Sequence, residues 1–272
     1  MTTTAPTRSS TSVSTPTHWS FGGVVSSEFT KLITLRSTFV ISLVMIVISV
    51  AFSALVASTY GSAEVVGRAA SGATSSSVGA SVSFAQLIIG VLAVLLVTNE
   101  YSTNMIQTTL AATPRRFPVL AAKLVVATVV TLILSLVSSL LGYAVAAPIL
   151  TGTDLLASLS DAIVVGSIAA SALYLVFVAW FAVTTASILR NSAAGIAVVA
   201  GIFFVLPIVL SLVPLGDVHL DDYILGSSGQ VVSRSIWDAD FRGDFALNLG
   251  LTIAWLVAPA VAAFGLLAKR DA

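Results

Sequence analysis

The chain has 272 residues, of which 57% are hydrophobic and only 9% are charged, and its mean hydropathy is +1.05 with a formal net charge of zero. A soluble globular domain carries roughly 25% charged residues, so this composition excludes an ordinary soluble domain and is typical of a membrane protein. The absence of cysteine excludes a disulfide framework, a thiol nucleophile and a cysteine metal site.

The chain begins with a Ser/Thr/Pro-rich segment, residues 1–20, that has almost nothing to bury. Such a composition predicts a disordered tail. Residues 21–272 are then predicted to form one transmembrane domain.

Directly after the tail, the stretch VVSSEFTKLITLRST has the spacing of an amphipathic helix. Its apolar positions are Val25, Phe29, Leu32 and Ile33. Its polar positions, on another side, are Ser27, Glu28, Lys31 and Thr34. We expect a short helix at the inner membrane surface, and a plain basic flank that anchors the first span is the alternative.

Six apolar runs are long enough to cross a hydrocarbon core of about 30 Å. They are approximately Phe39–Ala57, Val82–Val97, Val119–Ala147, Ala162–Leu189, Gly195–Val213 and Phe245–Leu267. Because helices satisfy their own backbone polar groups within lipid, the prediction is an all-α membrane protein with six transmembrane helices.

The segments between these runs predict less. Ser58–Ala80 is rich in Gly and Ser and is expected to be a flexible loop. Pro207 and Pro259 remove backbone donors and are expected to kink spans five and six. Leu215–Asp244 is expected to be a solvated acidic loop, with recruitment of a cationic substrate as the alternative.

Basic residues indicate the orientation, because Lys and Arg are retained on the cytoplasmic side. With both termini inside, the inner segments hold nine basic and three acidic residues, and the outer segments hold three basic and nine acidic residues. This asymmetry predicts cytoplasmic N- and C-termini, and we expect a multi-pass protein of the cell (plasma) membrane. It also places residues 99–120 in the cytoplasm.

Catalytic and nucleotide-binding patterns are missing from the sequence. His18 and His219 have no metal-ligand partner at useful spacing. A phosphate loop requires G-x-x-x-x-G-K-[ST], and each lysine fails that test, since Lys31 and Lys123 precede Leu and Lys269 precedes Arg. We therefore expect a protein that is not an enzyme, and that binds no cofactor, metal or nucleic acid.

The cytoplasmic insert NEYSTNMIQTTLAATPRRFPVL has the features of a short helix followed by a turn. Asn99 is a candidate N-cap, and the charge of Glu100 suits a helix N-terminus. Pro114 biases Thr113 away from helical geometry and should end the helix there. The alternative is a plain loop whose two arginines obey the positive-inside rule.

This insert resembles the loop between spans two and three of the type-2 (ABC-2 type) ABC transporter permeases, which reads E-Y-x-x-G-[TM]-I-R-T-T-L, then P-R-R, then A-K. Three other segments resemble the family in the same order, namely SSEFTKLITLRST, ILRNSAAGIAVVAGIFFVLP and the ending LLAKRDA. Within the insert, Asn104 and Gln107 stand where the family usually has a glycine and a basic residue.

The resemblance implies the permease subunit of an ATP-driven exporter for an amphipathic or hydrophobic substrate. Implied partners are a separate ABC ATPase subunit, which would bind ATP and Mg, a second permease copy in a homo- or heterodimer, and the lipid bilayer. It implies a coupling helix between spans two and three that contacts the ATPase through Glu100, Tyr101, Met105, Ile106, Pro114, Arg115 and Arg116. It implies an entry helix that uses Glu28, Lys31 and Arg36.

Two other classes of function stay open from the sequence. One is an ATPase-independent channel or ion-coupled carrier, which usually places ionisable groups deep in the bilayer, whereas the marked spans are almost free of them. The other is a membrane accessory protein.

Overall fold

A computed structural model describes residues 20–62, 70–102, 116–151, 155–212, 219–237 and 244–269. These residues form ten α-helices and contain no strand. The first five helices are α1 Phe21–Thr34, α2 Arg36–Ser62, α3 Ala70–Ala80, α4 Val82–Ser102 and α5 Arg116–Leu150. The others are α6 Ala162–Leu189, α7 Ser192–Ala200, α8 Leu206–Ser211, α9 Leu225–Ser235 and α10 Phe245–Lys269.

Six helical segments are long and apolar enough to cross a membrane, which confirms the predicted number. They are Arg36–Tyr60, Ser71–Tyr101, Phe117–Leu150, Ala162–Leu189, Ser192–Ser211 and Phe245–Leu267, and we number them spans one to six. The chain therefore has the architecture of a multi-pass membrane protein.

Span two begins earlier than the sequence predicts. Residues 70–80 were expected to belong to a flexible loop, but they form α3, which continues through Ser81 into α4. Thr74 holds α3 against the turn after α5, because its Oγ1 donates to the Leu155 carbonyl (3.1 Å) and accepts from the Ala157 N–H (2.9 Å). Tertiary contacts thus make a helix from Gly/Ser-rich residues of low intrinsic propensity.

Span five is interrupted at the position where Pro207 was expected to kink it. Gly201–Val205 is a π-helical segment between α7 and α8, and the Leu206 N–H bonds to the Gly201 carbonyl one residue farther back than in an α-helix. Proline has no N–H and clashes with the preceding turn, so a local widening accommodates it. Pro148 and Pro259 lie inside α5 and α10.

Spans two and five cross at a reciprocal glycine contact. A Cβ on Gly90 would lie 2.5 Å from Val199 Cγ1, and a Cβ on Gly195 would lie 2.8 Å from Val94 Cγ1. On each helix the glycine and the valine are one turn apart, and the glycine of one helix faces the valine of the other. This arrangement lets the two backbones approach closely. The main hydrophobic core lies around this crossing and the buried side of α6.

The acidic segment between spans five and six is, in its described residues 219–237, partly helical and buried rather than a solvated loop throughout. It contains a 3-10 turn, Leu220–Tyr223, and the helix α9, whose buried side packs on α6 and α10. Leu225 is fully buried, and Gly229 lies so close to Tyr174 that a Cβ there would be 3.3 Å from the ring. The Trp255 Nε1–H donates to the Tyr223 carbonyl at 3.0 Å.

Candidate functional site: a buried ring of charged residues

Helix α1 presents a different side to the bundle from the one that its polar pattern predicts. Its buried residues are Val24, Glu28 and Leu32, spaced four apart, whereas Phe29 is 36% and Ile33 is 44% exposed. The prediction grouped Glu28 with the polar positions and apart from Leu32, but the structure buries Glu28 on the same side as Leu32. Val24 and Leu32 pack in two small clusters with residues of α4 and α5, which fixes Glu28 between those helices.

Glu28 belongs to a closed ring of alternating charges, which we call the charge ring and define as Glu28, Lys31, Glu100 and Lys123. The Lys31 Nζ donates to Glu28 Oε1 and to Glu100 Oε1, both at 2.6 Å. The Lys123 Nζ donates to Glu28 Oε2 at 2.6 Å and lies 3.1 Å from Glu100 Oε1. The ring joins α1 to α4 and α5, at the ends of spans two and three.

The charge ring is largely removed from solvent. Glu28 is 0%, Lys123 is 4% and Glu100 is 5% exposed, and the Lys31 side chain is 26% exposed. Two positive and two negative groups cancel formally, and a further hydrogen bond runs from Lys123 to the Leu96 carbonyl at 3.2 Å. Each charged side chain of the ring lies within hydrogen-bond distance of two opposite charges, and these contacts offset the cost of removing it from water.

The environment of Lys31 keeps its ammonium charged. Burial by itself lowers the pKa of Lys31, but hydrogen bonds and Coulombic attraction from Glu100 and Glu28 outweigh that effect, so its pKa is raised above the ordinary value of 10.5. The contribution of Lys31 to stability is therefore fully present below that ordinary value, and it is lost only as the pH rises through the higher pKa of the folded state.

The helix predicted to begin near Glu100 does not begin there. Asn99, Glu100 and Tyr101 lie in the last turn of α4, so Asn99 is not an N-cap and Glu100 lies at the C-terminal end of a helix. The charge of Glu100 is unfavourable to that end of a helix dipole. Its two lysine partners supply the compensating positive charge.

Tyr101 links the end of α4 to the junction of spans four and five. The Arg190 guanidinium carbon lies 5.3 Å from the Tyr101 ring centroid, within cation–π range. Arg190 ends α6 in the left-handed region (φ 53°), where its N–H bonds to the Ala186 carbonyl. Asn191 follows and caps α7, its Oδ1 accepting from the Ala194 N–H at 3.0 Å.

The other residues of the predicted coupling helix and entry helix do not join the charge ring where the structure describes them. Met105, Ile106, Pro114 and Arg115 lie outside the described residues, in the stretch 103–115 between α4 and α5. Arg116 is the first residue of α5. Arg36 is exposed at the start of α2 and is not part of the charge ring.

Lys123 is the member of the charge ring that the predicted site did not include. The sequence does contain a signal, because Lys123 is the only charged residue in the run from Val119 to Ala147. A lone ionisable residue within an apolar span is a functional-site hypothesis by default, with an unknown partner. Its partners could not be predicted, since Glu28 is 95 residues away in the sequence.

Two cavities lie at opposite ends of span two. One, of about 380 Å³, adjoins the charge ring between α1, α2 and α4. The other, of about 340 Å³, lies between α3, α6 and α9 and has serines, Tyr174, Gln230, Arg234 and Trp237 in its walls. Within the described residues no group of three or more His, Asp or Glu side chains could hold a metal ion.

The chain was compared with protein-family models and with curated proteins, and neither comparison finds a match.

Proposed function

We propose that this chain is the permease subunit of an ATP-driven exporter of the ABC-2 type, located in the plasma membrane. It would work with a second permease copy and with separate ATPase subunits that bind ATP and Mg. The observation that supports this best is the charge ring, because it connects α1 with both helices that flank residues 103–115. Those residues resemble the loop on which the ATPase of such exporters acts.

The charge ring suggests how motion would pass from an ATPase into the spans. A push on residues 103–115 acts first on the end of α4 and the start of α5, which carry Glu100 and Lys123. Both are bound to α1 through Glu28 and Lys31. Because buried ion pairs of good geometry resist separation, α1, span two and span three would move as one unit.

This proposal changes the role expected of Glu100. A carboxylate that is buried and shared by two lysines is poorly placed to contact another protein. Arg115, Arg116 and the other residues of the insert would then contact the ATPase, while Glu100 would transmit the movement of the insert to α1. Mutations can therefore separate binding of the ATPase from transmission of its movement.

The test is to purify the tagged chain from membranes with its candidate ATPase and to measure ATP hydrolysis in lipid nanodiscs. Charge reversal in Arg115→Glu/Arg116→Glu should abolish co-purification of the ATPase. The matched control, Arg68→Glu/Arg242→Glu, reverses two charges on the predicted outer side and should retain it. Lys31→Gln should retain the ATPase but lose the stimulation of hydrolysis by transported substrate.

Each part of the proposal has a result that would refute it. If no ATPase co-purifies, the exporter is rejected and an accessory role is favoured. Unchanged hydrolysis and recovery in Arg115→Glu/Arg116→Glu would reject docking at the insert. Flux driven by an ion gradient without ATP would instead identify an ion-coupled carrier.

A further inference from the structure

The cavity at the far end of span two from the charge ring has the walls of a site for a hydrogen-bonding ligand. Its volume of about 340 Å³ lies within the range of about 300–1,000 Å³ typical of small-molecule sites. Six serines from α3, α4, α6 and α9 line it, namely Ser75, Ser76, Ser83, Ser167, Ser171 and Ser233. The proposed function makes no use of this cavity.

The deeper wall of the cavity is polar but uncharged. Tyr174 forms part of it, is 1% exposed and donates a hydrogen bond to Gln86 Oε1 at 2.5 Å. Arg234 is the only charged residue that the described part of the chain contributes to the wall, and it is exposed. An ion bound in the deeper part would lose its water without gaining an opposite charge, which is unfavourable. The deeper part therefore suits an uncharged ligand.

The polar groups of the wall can both accept and donate hydrogen bonds. Ser75 Oγ donates to the Gly72 carbonyl at 3.2 Å, and Ser167 Oγ donates to the Val164 carbonyl at 2.8 Å. A hydroxyl has one donor and two lone pairs, so both oxygens can still accept a hydrogen bond from a ligand. Gln230 on α9 adds an amide, which has donors as well as an acceptor. All three side chains are partly exposed. Ligand hydroxyls match this wall, because each of them donates and accepts.

Apolar surface lies beside these polar groups. Trp237 and Ile163 are part of the wall and are 53% and 47% exposed. Trp237 lies against Gly166 of α6, where an added Cβ would be 2.8 Å from the Trp237 Cβ, so the absence of a side chain at residue 166 makes room for the tryptophan. A sugar ring has C–H groups on its faces and hydroxyls around its edge, and it can contact both kinds of surface.

We propose that this cavity binds a neutral polyhydroxylated molecule of the sugar type, whose hydroxyls bond to Ser75, Ser167 and Gln230 and whose ring lies against Trp237. The source of that chemistry is either a free sugar or the sugar headgroup of a membrane glycolipid. Binding requires no ATPase, so this proposal can fail or succeed independently of the proposed function.

The test is photolabelling of the full chain in phosphatidylcholine nanodiscs with three probes that carry the same aryl diazirine. The first probe has a glucosyl ring, the second has a cyclohexyl ring in its place, and the third has a 2-amino-2-deoxyglucosyl ring with an ammonium charge. Mass spectrometry of the labelled peptides locates each probe. The glucosyl probe should label residues 75–83, 163–174 and 230–237 about tenfold more than either other probe. The cyclohexyl ring makes no hydrogen bonds, and the ammonium lacks an opposite charge.

Variants of the wall separate binding in the cavity from general partition into the bilayer. Ser76→Trp and Ser83→Trp enlarge exposed wall residues on α3 and α4, and each should remove most labelling by the glucosyl probe. Ser58→Trp makes the same change at an exposed serine of α2 outside the wall and should leave the labelling unchanged. Gln230→Leu removes the amide at similar size and should weaken labelling about fivefold. Size-exclusion chromatography establishes which variants are folded, and Gln230→Leu decides the result if neither tryptophan variant is.

Equal labelling by the glucosyl and cyclohexyl probes would overturn the proposal, because water would then be the partner of the wall. Labelling that persists in all the folded wall variants would overturn it as well. Competition distinguishes the two sources. Loss of labelling on addition of methyl glucoside identifies a free sugar as the ligand, and loss only with glucosyl diacylglycerol in the nanodisc identifies a lipid headgroup. If neither competes, the labelling is not at a saturable site and the proposal is rejected.

Discussion

The substitution Lys123→Met should be among the most destabilising single changes in the chain. Lys123 is 4% exposed and holds Glu28 and Glu100 at 2.6 and 3.1 Å, besides the Leu96 carbonyl at 3.2 Å. Methionine has a similar length but no charge, so two buried carboxylates would be left with one lysine. Removing one partner of a buried ion pair costs about 3–5 kcal/mol of unfolding free energy.

The measurement is a titration with denaturing detergent in lipid bicelles, followed by tryptophan fluorescence, with the unfolding free energy extrapolated to zero denaturant. Arg36→Met removes an exposed charge at the start of span one and should change that free energy by no more than about 0.5 kcal/mol. Lys31→Met should be intermediate, because its side chain is 26% exposed and water replaces part of the lost interaction.

A double variant isolates the contribution of charge balance. Lys123→Met/Glu28→Gln leaves one lysine and one glutamate, so part of the stability lost in Lys123→Met should return, with a coupling energy of about 0.5–3 kcal/mol. If Lys123→Met loses no more stability than Arg36→Met, the charge ring does not hold these helices together. If the double variant is merely the sum of its single changes, Lys123 and Glu28 are not coupled.

Gly90→Ala should lower the unfolding free energy by about 1–3 kcal/mol because its Cβ would overlap a facing valine, whereas Gly250→Ala, with open space around it, should not lower it. The stability difference between wild type and Lys31→Met should be constant from neutral pH up to 10.5, and it should shrink at higher pH as the raised pKa of Lys31 is crossed. Tyr101→Leu should lose about 0.5–1 kcal/mol, while Tyr101→Phe, which keeps a ring beneath Arg190, should lose less. Detergent titration measures the unfolding free energy in all three cases. A larger loss in Gly250→Ala than in Gly90→Ala, a Lys31→Met difference that grows above pH 10.5, or a larger loss in Tyr101→Phe than in Tyr101→Leu would contradict the corresponding contact.

The six spans were predictable because a transmembrane helix is specified by the apolar residues of one continuous stretch of sequence. About 20 consecutive apolar residues suffice to specify a helix in hydrocarbon, whatever it packs against. The two helices that the sequence did not predict, α3 and α9, lack such a run. Their conformation depends on distant contacts, such as Thr74 with Ala157 and Gly229 with Tyr174, which no local pattern encodes.

The candidate site was predictable in its residues and not in its geometry. Glu28, Lys31 and Glu100 were identified as functional, but a helix pattern assumes that polar residues face solvent. That assumption fails for Glu28, because Lys31 and Lys123 bind its carboxylate in the interior. Lys31 and Glu100 are 69 residues apart, and only the tertiary fold shows that they pair.

Helix α9 has a consequence for how the protein is built in the membrane. It precedes span six in the chain, yet its buried side packs on span six as well as on span four. A growing chain that has not yet inserted span six cannot pack α9 on α10 or bond the Tyr223 carbonyl to Trp255. The seating of α9 is therefore among the last steps of biogenesis, and protease resistance of residues 225–235 would report that membrane insertion is complete.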